Sequence, residues 1–316
     1  MKLRPFLIFF AFISLILSSC NDDDDGATTV EIRDPEEVYI ENEAEIVEFL
    51  QTHYFEFVDN PQNPNFQKFR FDTITEENQD ERSPIFDSDL LLSKDITQGS
   101  VTYKLYYLKV REGNMDERHP RFADSTLVTY QGLTFDNETF DLSPNPVWFD
   151  LTRSIRGFYE LMPELRGSSG FVENPDGTVS FNDDFGIGVV FVPSGLGYFA
   201  APPFGSGISS YEPIMFSVQL YKSVEADHDQ DGVPSYLEDI NGSGRVDELQ
   251  DGDDVNDDTD GDGVPNFFDP DDDGDGTPTL EEISDEDGNI IIPYPDNDND
   301  GTPDYLDPDF PGEDDA

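Results

Sequence analysis

Apolar and polar residues alternate in several short stretches of this chain, most clearly at residues 101–110, Val-Thr-Tyr-Lys-Leu-Tyr-Tyr-Leu-Lys-Val. A run so rich in β-branched and aromatic residues, with partial period-two alternation, predicts a strand. Residues 127–130, 147–151, 188–192 and 214–221 are shorter runs of the same kind. A different spacing marks residues 43–53, where Ala44, Val47, Phe49 and Leu50 fall near one face with acids interspersed, so a helix capped by Asn42 is expected. Residues 59–84 are polar and rich in Asn and Pro, which predicts loops. Among the later strands only residues 155–165 read as a helix. One helix among several strands predicts an α+β domain whose sheet wraps the helix and buries its apolar face.

Beyond residue 224 this alternation gives way to acids. The formal net charge is -54, and residues 225–316 carry 34 Asp and Glu against a single base, Arg245, a net −33. Such a surface repels phosphate backbones, so nucleic acid is not an expected partner. Charge of one sign at this density asks for a cation instead.

The acids are ordered in a repeat: Asp-x-Asp-x-Asp-Gly, then a residue at position seven, a polar one at nine and an acid at twelve. The first copy has Asp227, Asp229, Asp231, Gly232, Val233, Ser235 and Glu238, and the second Asp258, Asp260, Asp262, Gly263, Val264, Asn266 and Asp269. The third has Asp271, Asp273, Asp275, Gly276, Thr277, Thr279 and Glu282, and the fourth Asp296, Asp298, Asp300, Gly301, Thr302, Asp304 and Asp307. Asp239-Ile-Asn241-Gly-Ser243-Gly244 is a degenerate copy. Calcium takes 6–8 oxygens, about what alternate carboxylates, the position-seven carbonyl and the position-twelve acid can deliver, and glycine at six permits the sharp turn. Glu at twelve can bind bidentate, whereas Asp there reaches less far and leaves a ligand to water or to a neighbouring repeat. Units such as Asp-Gly-Val-Pro-Asn-Phe-Phe-Asp and Asp-Gly-Thr-Pro-Asp-Tyr-Leu-Asp resemble thrombospondin type 3 repeats, which implies structural calcium in a nearly helix-free rod. Two carboxylates about 6 Å apart repel by roughly 0.7 kcal/mol even in water. The expectation is an ordered rod with calcium at about 10⁻⁴–10⁻³ M and a disordered acidic coil without it.

At the other end, Lys2 and Arg4 precede an uncharged apolar run, residues 5–17. That run is shorter than the ~20 residues a bilayer span needs and reads as an export signal. Leu17-Ser18-Ser19-Cys20 resembles the lipobox of bacterial lipoproteins, which implies cleavage before the chain's one cysteine and acylation of Cys20. The following Asn21-Asp22-Asp23-Asp24-Asp25 resembles the signal that sends lipoproteins to the outer surface in Bacteroidetes-type bacteria, or is a solvated spacer. The expected organisation is a signal peptide (1–19), an acidic tether (20–40), an N-terminal segment with one helix (41–98), a middle domain (99–223) and the calcium repeats (225–316), in an outer-membrane lipoprotein facing the surface or the periplasm.

The middle domain carries Val128-Thr-Tyr130-Gln-Gly132-Leu, Phe140-Asp141, Ile155-Arg-Gly157-Phe158-Tyr-Glu-Leu-Met, Val192-Pro-Ser-Gly-Leu-Gly-Tyr198 and Ile214-Met-Phe216-Ser-Val-Gln-Leu. In this order the blocks resemble an FKBP-type peptidyl-prolyl cis-trans isomerase. The resemblance implies a curved antiparallel sheet over one short helix and a pocket lined by Tyr130, Phe140, Asp141, Ile155, Phe158, Tyr198 and Phe216. In that picture Phe158 is the floor under the proline ring and Asp141 orients the polar edge. The Tyr198 hydroxyl and the Ile155 N–H hold carbonyls of a proline-containing polypeptide, and no cofactor takes part. The chain departs from the family at Val147, where an aromatic is frequent, at Ser154, where a β-branched residue is usual, and at Phe199, where glycine is usual. Residues 168–187 are an insertion with a turn signal at Pro175-Asp176-Gly177, expected to form a hairpin that extends or covers the substrate groove.

No triad or zinc spacing can be assembled from His53, His119 and His228, and Trp148 reads as a strand residue at a surface or core edge. The isomerase reading competes with that of a surface binding or adhesion module that keeps the fold without turnover.

Overall fold

The computed structural model describes residues 32–58, 63, 66–175, 177–245 and 257–309. Cys20, the signal segment, the acidic run after it, Asp176 and residues 310–316 lie outside them. The order is α1 (Pro35–Thr52), β1 (His53–Val58), β2 (Lys68–Thr73), β3 (Leu91–Gln98), β4 (Val101–Arg111), β5 (Ser125–Thr134), β6 (Thr139–Asp150), α2 (Arg156–Tyr159), β7 (Phe171–Glu173), β8 (Val179–Phe181), β9 (Gly186–Val192), β10 (Ile214–Val224) and α3 (Thr279–Glu282). Strands β3, β4, β9, β10, β5 and β6, in that spatial order, form a six-stranded sheet in which every neighbouring pair is antiparallel. The fold is α+β, an antiparallel sheet over a short helix, as expected.

Two apolar layers cover this sheet. Val190 and Val192 of β9, with Val128, Val218 and Leu220, pack with Phe158, Leu161 and Met162 of the helical segment. Ile187, Val189 and Phe191 point the other way, onto Ile46, Phe49 and Leu50 of α1 and Phe69 and Phe71 of β2. This explains why β9 is buried at every position and reads as an unbroken apolar run: a strand covered on both faces has no reason to alternate. A polar group inside the second layer is satisfied, since Gln219 accepts from the Gln67 N–H (3.0 Å) and donates to its carbonyl (2.6 Å).

The elements differ from the sequence expectations where local signals compete. Helix α1 starts at Pro35, inside the stretch read as tether, because Asp34 accepts from the Glu36 and Glu37 N–H groups (3.0 Å each) and Pro35 needs no donor. Asn42 is not its cap but a buried residue in its middle. The helix expected over 155–165 is α-helical only across Arg156–Tyr159, followed by a 3-10 turn at Met162–Glu164, where Pro163 has no N–H to continue the ladder. Strand β2 lies inside the expected loop; its alternating Lys-Phe-Arg-Phe is clear, but the polar flanks hide it. Edge strand β3 went unpredicted because half of it faces water, and edge strand β6 begins at Thr139, well before the predicted start at 147, accommodating Pro144 and Pro146. Trp148, half exposed, sits on that edge.

Candidate functional site: an aromatic cluster and four acidic loops

The residues expected to line the pocket come from five different elements. Tyr130 is on β5, Phe140 and Asp141 on β6, Ile155 caps α2, Phe158 is on α2, Tyr198 follows the 3-10 turn Ser194–Leu196, and Phe216 is on β10. Phe158 lies 5.3 Å from Phe216 and 6.1 Å from Tyr130 between ring centroids, and Phe140 meets Phe216 edge-on at 5.4 Å. Phe158, Phe216 and Tyr130 are buried, while Phe140, Ile155 and Tyr198 pack against them and stay partly open. Gly132 makes room, since a Cβ there would fall 2.6 Å from the Phe140 ring. The one anion at this cluster, Asp141, accepts a 2.7 Å hydrogen bond from the Tyr130 hydroxyl. Burial first and then that carboxylate push the Tyr130 phenol above its ordinary range, and burial with the Asp141 charge does the same to Tyr198. Both phenols are therefore protonated donors at neutral pH. The result is an apolar aromatic floor with a polar rim formed by Asp141 and Tyr198.

Sequence reasoning missed Phe149, which stacks edge-on to Tyr130 at 5.2 Å and lies 5.2 Å from Phe158. Exposed Val147 leaves the aromatic place that Phe149 fills two residues further along β6, a signal present in the strand pattern. Phe199 takes a left-handed φ of 48°, the conformation that glycine would adopt there without strain, and packs edge-on against Tyr211 at 5.0 Å. The expected hairpin does form, as β7 and β8. Its Phe181 stacks on Tyr221 at 4.4 Å, in the layer on the far side of the sheet from the aromatic cluster. The hairpin therefore neither extends nor covers the expected groove.

The tail loops share one local geometry. The position-six glycines Gly232, Gly263, Gly276 and Gly301 all have φ between 99° and 104°, where an L side chain would be strained. In each loop the carboxylate at five accepts from the N–H at seven at 2.7 Å, as Asp231 does from Val233, Asp262 from Val264, Asp275 from Thr277 and Asp300 from Thr302. That bond folds the carboxylates at one, three and five inward: Asp227, Asp229 and Asp231, then Asp258, Asp260 and Asp262, then Asp271, Asp273 and Asp275, then Asp296, Asp298 and Asp300, each offer oxygens within 4.8 Å of one another. Among the described residues the elements that follow the loop prolines are short: 3-10 turns at Asn266–Phe268 and Asp304–Leu306 and the four-residue helix α3.

The oxygens at position twelve decide whether a cation fits. Both carboxylate oxygens of Glu238 and of Glu282 are buried without a hydrogen-bond partner, as are Asp229 Oδ2, Asp231 Oδ2 and Asp273 Oδ2. Burial, reinforced by neighbouring acids, pushes Glu238 up to about 10, Glu282 to about 9, Asp231 to about 7 and Asp229 to about 6. Orphaned hard oxygens in this number are what a calcium ion would need. Asp269 and Asp307, the shorter acids, are only partly buried.

The first loop also touches the sheet domain. His228, between Asp227 and Asp229, reaches Asp150 Oδ1 with Nε2 (3.3 Å), and Arg121 covers the Tyr236 ring while pairing with Glu225 at 2.7 Å.

Residues 228–295 match a family model described as BamM C-terminal. They run from the second position of the first loop to the residue before the fourth. No curated protein matches the chain. Similar solved structures include a peptidyl-prolyl cis-trans isomerase from Pseudomonas syringae pv. tomato (19% identity, 42% of this chain and 81% of that one, TM-score 0.32). FkpA from Escherichia coli is 21% identical over 43% of this chain and 53% of its own length, with a TM-score of 0.31. The N-terminal domain of FKBP42 from Arabidopsis thaliana is 13% identical over 42% of this chain and 94% of that one, also at 0.31. The α+β assignment rests on the strand order and the two apolar layers.

Proposed function

We propose that this chain is an FKBP-type peptidyl-prolyl cis-trans isomerase acting on exported or surface polypeptides, tethered to the outer membrane by lipid on Cys20 and carrying calcium in its C-terminal repeats. What supports the catalytic part is the convergence of Tyr130, Phe140, Phe158 and Phe216, from separate elements, on one cluster edged by Asp141, Ile155 and Tyr198. The reaction needs little else. An X-Pro bond isomerises on its own in tens to hundreds of seconds because a planar amide is resonance-stabilised, with separated charge. A twisted amide has lost that charge separation, so an apolar floor with few donors favours it over the planar form. Phe158 would sit beneath the proline ring, the Tyr198 hydroxyl and Ile155 N–H would hold flanking carbonyls, and Asp141 would keep Tyr130 in place without moving a proton.

A protease-coupled assay on proline peptides tests this. Wild-type protein is expected to accelerate isomerisation, Phe158→Ala to abolish the effect and Tyr198→Phe to lower it. The second reading, a binding module without turnover, draws on Phe199: a bulky residue held left-handed and packed on Tyr211 in the loop that bears Tyr198. No wild-type rate above background, with the fold intact, would favour it.

A further inference from the structure

Asp272 stands at the second position of the third loop, where the calcium-loop pattern asks for no ligand. The other loops have His228, Thr259 and Asn297 there, and each pairs with position nine of its own loop: His228 Nδ1 with Ser235 Oγ (2.8 Å), Thr259 Oγ1 accepting from Asn266 Nδ2 (2.8 Å), and Asn297 Nδ2 donating to Asp304 Oδ2 (2.6 Å). In the third loop the Thr279 hydroxyl accepts from the Asp272 N–H at 3.2 Å. The Asp272 carboxylate reaches another loop altogether, bringing an oxygen within 4.8 Å of both Asp231 and Glu238 of the first. Asp231, Glu238 and Asp272 are 2%, 1% and 1% exposed. Asp231 Oδ2 and both oxygens of Glu238 and Asp272 are buried with no hydrogen-bond partner. Apart from the Val233 N–H on Asp231 Oδ1 (2.7 Å), no hydrogen bond to these oxygens is seen among the described residues, and a buried triple of carboxylates so poorly satisfied is strongly unfavourable unless a cation sits among them.

Resting on the reading of the repeats as calcium loops, we infer that Asp272 is a ligand of the first loop's calcium ion, which makes that ion a clasp between the first and third repeats. The oxygen count agrees. Asp227, Asp229, Asp231, the Val233 carbonyl and a bidentate Glu238 would give about six oxygens, and Asp272 adds a seventh, inside calcium's range and beyond the six that magnesium accepts. Among the described residues the buried apolar cluster here is small: Val233 of the first repeat, Ile283 just past the third and Tyr305 of the fourth, with Tyr294 and Leu306 against it. Burying three side chains is too little to offset the conformational entropy of ordering the backbone of these loops. An ion bridging two repeats orders both.

Calorimetric calcium titrations of the full chain, stripped with chelator, test this, using Asp272→Asn, Glu238→Gln, the double variant and Asp298→Asn, which alters only the fourth loop. Wild type should show one site tighter than the rest and not displaced by millimolar magnesium. Asp272→Asn should weaken that site by about tenfold or more, the double variant should lose no more than Glu238→Gln alone, and Asp298→Asn should leave it untouched. Small-angle scattering at limiting calcium should show a more expanded tail in Asp272→Asn than in wild type. Asn has the shape of the Asp it replaces, and circular dichroism at saturating calcium checks that the variant tail still folds. Unchanged number and affinity of ions in Asp272→Asn overturns the clasp while leaving the calcium loops standing. Absence of any calcium binding by wild type overturns both.

Discussion

The described residues of the sheet domain, within 91–224, and those of the tail, 225–245 and 257–309, fold on opposite terms. The sheet domain buries whole strands, β9 completely, and its interior polar groups are mostly neutral: Gln219 is hydrogen-bonded on both sides, and the Thr126 and Ser217 hydroxyls are buried without a partner. In the tail the balance shifts: among the described residues four apolar side chains, Val233, Phe267, Ile283 and Tyr305, are buried beside an array of carboxylates, several of whose inner oxygens, such as both of Glu238 and Glu282, have no partner. Apolar burial stabilises the first by itself, whereas the second has its order written into loop geometry but its charge left unbalanced. One region is held by apolar burial, and the other, on the proposal that its loops bind calcium, depends on ions for its order.

Chelation should break the comparison most widely. With calcium removed, hydrogen exchange and protease resistance are expected to collapse across 225–309 and to persist in 91–224; equal protection in both regions would refute the contrast. The pH dependence sharpens it. Glu238 and Asp272, raised to about 10 and about 9 in the folded chain by burial and neighbouring acids, bind protons there that they release when unfolded, where a carboxylate titrates near ~4. Metal-free tail order is therefore greatest below about pH 4 and falls as pH rises toward 9–10, followed by small-angle scattering in chelator. Millimolar calcium should invert that trend, since protons then compete with the ion.

Within the sheet domain, Phe158→Ala is expected to lower stability by about 3–5 kcal/mol by denaturant titration, the cost of a large buried aromatic, and to leave the calcium stoichiometry unchanged. Asn42→Ala removes the donor to the Tyr211 carbonyl (2.9 Å) and the acceptor of the Ser194 N–H (2.7 Å), tying α1 to the loop around Tyr198. It should cost about 1–3 kcal/mol and speed amide exchange at 194–211. Asp34→Ala, loss of the α1 cap alone, should cost only about 1 kcal/mol.

Much of the site was legible because its signals are local or ordered. The tail loops follow from spacing alone, and the pocket aromatics follow from blocks met in sequence. Phe149 was within reach, as the alternate position to Val147 on one strand. Asn42 misled for a clear reason: a residue suited to cap a helix is equally suited to bridge a helix and a loop, and only burial separates the two. The N-terminal layer escaped because β2 is short and framed by polar residues, so its two buried phenylalanines gain meaning only against β9.

What the sequence determined by itself was therefore whatever closes within a dozen residues: the four glycine-turned acidic loops, the apolar central strands, and the order of the aromatic blocks. Tertiary structure alone decided that α1 and β2 cover the sheet's second face, that the 168–187 hairpin stands away from the aromatic cluster, and that Asp272 meets Asp231 and Glu238. Local geometry is fixed by backbone sterics and near-neighbour hydrogen bonds, which a sequence states directly. Pairings between distant residues depend on which apolar faces find each other first in burial, and no spacing along the chain records that.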